Sequence, residues 1–113
     1  MDTAPDNKLA VSCVEWKPRT KNSLRGFASI EIPALHLRMI DIAIHVHPNG
    51  ARWAALPAKP QIDRDGVAIR RDGKIQYTPL LAFTDRKTAD AFSHRVIEAV
   101  LELAPDALDE VAS

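Results

Sequence analysis

His45 and His47 stand two residues apart in "HVHPNG", and Asp41 lies four residues upstream of the first. On an extended chain every second side chain shares a face. Both imidazoles and the carboxylate are therefore presented together, and such a pair can bind a divalent metal. A zinc centre needs a third or fourth ligand. Neither Cys13 nor His94 falls at a recognisable ligand spacing from the pair, and His36 points to the opposite face of a regular strand. A polar strand end beside a turn explains the two histidines without a metal, so no metal or other cofactor is expected.

Nucleophilic chemistry has less support still. Ser12, Cys13, Ser29 and Ser93 occur outside any nucleophile-elbow context, and the carboxylates are scattered along the chain. Of the four glycines, three serve turn or loop sequences, which leaves no glycine-rich phosphate loop. The expectation is a protein that is not an enzyme.

Basic residues beside aromatic ones carry the remaining signal. Lys17, Arg19, Lys21 and Arg25 surround a first loop, and Arg52, Trp53 and Lys59 flank the central turn. Arg64, Arg70, Arg71 and Lys74 gather in and around a second hairpin. Long cationic side chains suit phosphate oxygens, and an indole or phenol can stack a base. Asp63, Asp65 and Asp72 interrupt the second group, as in an ordinary charged hairpin. The 15 Lys and Arg balance 15 Asp and Glu overall, so no global field draws the chain to a polyanion. The balance is uneven along the chain. Glu98, Glu102, Asp106, Asp109 and Glu110 crowd the carboxyl end and leave the body mildly basic.

The elements that must position these groups follow from periodicity. "KLAVSCVEWK" reads as a strand and "PRTKNS" as a loop. In "LRGFASIEI", Leu24, Gly26, Ala28, Ile30 and Ile32 alternate with Arg25, Ser29 and Glu31, which predicts a half-buried strand ended by Pro33. "LHLRMIDIAIHV" continues as a third strand with Ile40, Ile42, Ile44 and Val46 on one face. Asn49-Gly50 supplies the positive φ angles of a hairpin, and "ARWAALP" returns until Pro57 and Pro60 end it. The segment "AKPQIDRDG" is a long connection to a second hairpin signal at Asp72-Gly73. "TDRKTADAFSHRVIEAVLEL" is helical, capped by Thr84 or Asp85, with Ala89, Phe92, Val96, Val100 and Leu103 as its buried stripe and Pro105 as its end. The fold class is therefore α+β: an antiparallel β-sheet of four to six strands followed by one C-terminal amphipathic α-helix packed on one face. Residues 1–8 are expected to be disordered, 9–104 to form one domain, and 105–113 to be an acidic tail. The single cysteine, the absence of an apolar stretch near Met1 and the lack of any long apolar run predict a soluble cytoplasmic protein without a membrane span.

The segment "LRGFASIEIPALHLRMIDIAIHVHPNGARWAALPAKP" resembles the stage V sporulation protein G (SpoVG) family of septation regulators. The matching features are Asn49-Gly50, the aromatic-apolar strand Trp53-Ala54-Ala55-Leu56 and the exit Pro57-Ala58-Lys59, followed by a proline-containing strand "YTPLLAF" and a capped helix. The turn-to-proline interval is one residue longer than the family's, and "RRDGKIQY" is an extended second hairpin. The resemblance implies a small α+β domain that dimerises through its sheet, binds DNA or RNA and regulates gene expression. It points to Lys59, Arg64, Arg70, Arg71 and Lys74, with Arg86 and Lys87 at the helix start, as nucleic-acid contacts; Arg52 and Trp53 join them from the residue reading. A second, architectural likeness is to coactivator domains that bind single-stranded DNA. The rival expectation is a protein-interaction module that uses a free sheet edge or the Trp53 face and binds no nucleic acid.

Overall fold

The computed structural model describes residues 10–109; the segment expected to be disordered, 1–8, and the final residues of the expected tail lie outside them. Strands β1 (Ser12–Lys21), β2 (Leu24–Ile32), β3 (Leu37–Val46) and β4 (Arg52–Ala55) form an antiparallel sheet in sequential order, with a single 3-10 turn at Pro33–Leu35 between β2 and β3. Helix α1 (Arg86–Leu103) follows and lies across one face of that sheet. The α+β architecture expected from the sequence is the one found.

Strand β2 is central because its alternation is the cleanest in the chain. Ala28, Ile30 and Ile32 are buried and meet Ile42 and Ile44 of β3 and Val96, Ile97 and Val100 of α1 in one apolar layer. Burying an isoleucine contributes about 1.5–3 kcal/mol over leaving it exposed, so this layer is the main apolar contribution to the fold. Asp85 caps α1, its carboxylate accepting the Thr88 N–H at 2.8 Å and the Thr88 hydroxyl at 2.7 Å. Gly26 faces the helix side, and a Cβ there would lie 2.6 Å from both the Trp16 ring and the Lys17 carbonyl oxygen. The bare backbone is what lets the indole lie flat over β2.

Several local expectations are corrected. Strand β1 runs on through Pro18 to Lys21, so the expected loop shrinks to the turn at Asn22, which has φ +54°. An outer strand tolerates a proline because its missing donor faces no neighbour. In β3 the pairing jumps from Ala28↔Ile42 to Ile30↔Met39, a bulge with Asp41 at φ +59°. The bulge inserts a residue and reverses the alternation. Met39 therefore packs on the core, and Ile40, expected beside Ile42, is 60% exposed. At the Pro48-Asn49-Gly50 turn only Gly50 has positive φ, at +93°. A three-residue loop needs one left-handed residue where a two-residue loop needs two. On α1 the buried set is Val96, Ile97, Ala99 and Val100, while Leu103 is half exposed. Leu108, assigned to the acidic tail, is buried in the same core, so the structured domain continues past residue 104.

The largest correction concerns the connection after β4. Residues 57–80 form an arm whose strands β5 (Ala58–Pro60), β6 (Arg70–Arg71), β7 (Lys74–Ile75) and β8 (Tyr77–Pro79) pair with one another, β5 with β8 and β6 with β7. Pro57 ends β4 as expected, but Pro60 belongs to a new strand. The arm forks at a three-way junction closed by backbone hydrogen bonds: Gln61 N–H to the Gln76 carbonyl at 2.8 Å, Gln76 N–H to Ile69 at 2.9 Å, and Ile69 N–H to Gln61 at 2.8 Å. Gln61 is thereby inserted into what would otherwise be a reciprocal Ile69–Gln76 pair. One lobe beyond the junction turns at Asp63–Gly66, where the Asp63 carboxylate accepts the N–H groups of Asp65 and Val67. The other is a tight hairpin with Asp72 at φ +56° and Gly73 at φ +79°, the two left-handed residues its sequence predicts. Among the described residues, no helix is long and apolar enough to cross a membrane.

Candidate nucleic-acid interface

The arm collects five of the nine expected contact residues. Lys59 lies on β5, Arg64 in the first turn, Arg70 and Arg71 on β6, and Lys74 on β7, and all five are exposed. Among the described residues no ion pair ties any of them to a carboxylate; Arg70 donates instead to the Gly73 carbonyl oxygen at 3.2 Å across the turn. Three carboxylates share the arm, and Asp63 is engaged by backbone N–H groups. The arm thus carries five cations against three carboxylates, a net positive charge.

The other four expected residues sit elsewhere. Arg86 and Lys87 open α1, and Arg86 pairs with Asp90 one turn on at 3.3 Å. Arg52 and Trp53 lie on β4 and border an open groove against α1 with Asp90, His94 and Glu98 on its far wall. That groove has one cationic and one mainly acidic side, so it is no continuation of the arm's positive surface.

Trp53 is half-buried and already engaged. His45, its cross-strand partner, stacks on it with ring centroids 4.9 Å apart and planes 7° from parallel, and His47 approaches at 5.1 Å and 40°. The Ser23 hydroxyl hydrogen-bonds the His45 Nδ1 at 2.9 Å. Burial, and secondly the nearby Arg25 guanidinium, push the His45 pKa below the usual imidazole value. The ring is therefore neutral at physiological pH, a flat partner for the indole. Asp41, expected on one face with the two histidines, pairs instead with Lys17 at 2.7 Å. Among the described residues no three His, Cys, Asp or Glu side chains come together as a metal would need. Burial raises the Cys13 thiol pKa, and its Sγ lies 3.3 Å from the Glu15 carbonyl oxygen, which makes it a poor nucleophile at neutral pH.

Two further features escaped the sequence reading. Tyr77, 55% exposed on β8, is the most accessible aromatic of the described residues. Its period-two placement after Ile75 in "KIQY" was the available signal. Ser93 of α1 accepts the outward N–H of Ala54 at 2.8 Å, a long-range bond with no sequence signature. Compared with known family models, curated proteins and solved structures, this chain finds no match in any of the three.

Proposed function

We propose that this chain is a small, non-enzymatic nucleic-acid-binding regulator of the SpoVG type, active in the cytoplasm as a homodimer, that grips its ligand through the 57–80 arm. The observation that supports it is the set of Lys59, Arg64, Arg70, Arg71 and Lys74, all exposed and none paired to a carboxylate among the described residues. Cations already neutralised at home release few counterions on binding; unpaired ones contribute fully. Five phosphate contacts give a slope of log K against log salt of roughly −4, and an affinity loss of several hundredfold between 50 and 200 mM salt.

Mobility shifts with single- and double-stranded DNA and RNA at those two salt concentrations test the reading. The triple substitution Lys59→Ala, Arg70→Ala and Arg71→Ala should reduce both the affinity and the salt slope. A flat salt response, or no complex at low salt, counts against it. A second reading has its own observation. Ile62, Val67, Tyr77, Leu80 and Leu81 are exposed by 41–62% on or beside the same arm, an apolar surface that suits a protein partner. A stoichiometric protein partner that survives nuclease treatment would favour it.

A further inference from the structure

We infer that the hairpin of β6 and β7 is the element that enters the major groove of B-form DNA, with Arg71 and Lys74 at its tip facing the groove; this rests on the nucleic-acid reading above. Register defines the two faces of the hairpin. Arg71 pairs with Lys74 and Arg70 with Ile75, so Arg71 and Lys74 project together while Arg70 lies on the other face. Gln76, two residues beyond Lys74, continues the first face back to the junction. That face carries two cations, the donors that meet guanine O6 and N7 and the flanking phosphates, while the Gln76 amide at its base donates to the Lys74 carbonyl oxygen at 3.1 Å. The tip is held in shape from the opposite side, where the Arg70 guanidinium donates to the Gly73 carbonyl oxygen at 3.2 Å.

Dimensions favour the same ligand. From the junction at Ile69 and Gln76 to the turn at Asp72-Gly73 the ribbon is three residues long, roughly 10 Å at the rise of a strand. The major groove of B-form DNA is about 12 Å wide and 8.5 Å deep and admits a two-stranded ribbon, whereas the minor groove, about 6 Å wide, does not. The major groove of A-form RNA is too narrow to read. Single-stranded ligands are held largely by stacking on open aromatic faces. Here Trp53 is occupied by His45, Phe83 packs on Phe92 at 5.1 Å, Trp16 lies against the core and Phe27 is partly buried on the central strand β2, which leaves Tyr77 as the one exposed ring of this kind among the described residues. One open ring does not make a stacking platform.

The test measures anisotropy of labelled duplex DNA, the matching single strand and duplex RNA with the full chain at low salt. Duplex DNA should bind at least about tenfold more tightly than either of the others. The pair Arg71→Ala and Lys74→Ala, which leaves the Arg70–Gly73 bond intact, should lower the salt slope by about two and abolish that preference. Circular dichroism of the variant checks that the fold is kept. Guanine N7 methylation of the duplex should block binding, and a minor-groove ligand such as netropsin should not compete. Equal or tighter binding to single-stranded DNA or duplex RNA, or insensitivity to N7 methylation, overturns the groove assignment and leaves the nucleic-acid reading standing. No binding to any of the three removes both.

Discussion

The four-stranded sheet with its helix and the 57–80 arm are built from similar residues and differ in what they bury. In the first, Ile30, Ile42, Ile44, Val96 and Val100 have essentially no exposed surface. In the second no residue is buried, and Ile62 and Val67 are about 60% exposed. Strands of two or three residues without a core are marginal alone. The arm is therefore held by its turns and by the three-way junction, the sheet by apolar burial. Apolar burial is concentrated in one region and absent from the other, so the two can be perturbed separately.

The largest effect belongs to the sheet. Ile42→Ala removes a fully buried side chain between β2 and α1 and should cost about 2–5 kcal/mol, read from the shift in urea midpoint. An effect under 1 kcal/mol would mean that the core carries far less than its burial implies. A smaller and purely local effect belongs to the arm. A Cβ at Gly73 meets no atom within 4 Å, so Gly73→Ala suffers only the left-handed backbone penalty of about 1–2 kcal/mol. It should speed amide exchange at Arg71, Lys74 and Gln76 while leaving the global midpoint in place. A matching fall in the midpoint would show that arm and sheet unfold as one unit and end the contrast.

The smallest effect is the pH response of the sheet's outer corner. Burial and Arg25 hold the folded His45 pKa below its unfolded value, so the unfolded chain binds the extra proton first. The contribution of the neutral ring is complete above about pH 6.5 and is lost as the pH falls from there through the lower folded pKa. Trp53 fluorescence should report the same titration, because a protonated imidazole stacked on indole quenches it. In His45→Gln the stability slope over that window should fall and the fluorescence step should shrink, His47 at 5.1 Å remaining beside the indole.

The legible parts of the fold were those with uninterrupted periodicity. Strand β2, the Asp72-Gly73 turn and the Asp85-capped helix could all be read from residue types. What escaped was set by distant partners. Nothing near Asp41 announces a bulge, because the extra residue is fixed by the pairing of β3 with β2. Leu108 follows a helix-ending proline among acidic residues, and only the open end of the core explains its burial. Residues 58–66 read as a connection because β5 finds its partner nearly twenty residues later, beyond the range of any local pattern. For the site, the cationic residues were visible as a list, but their separation into arm, helix start and β4 required the fold. The sequence presented Trp53 as a base platform; its burial beneath two histidines depends on a cross-strand register that residue types alone do not determine.

The hydroxyl of Ser93 on the Ala54 amide makes the molecule lopsided toward self-association. With that donor satisfied from within the chain, an incoming strand at β4 loses one ladder hydrogen bond. The other end of the sheet is the β1 side, where Lys17, Pro18, Arg19 and Lys21 repel or misfit a second identical strand along half its length. Edge-to-edge stacking through the four-stranded sheet is thereby disfavoured at both of its ends without a dedicated capping element.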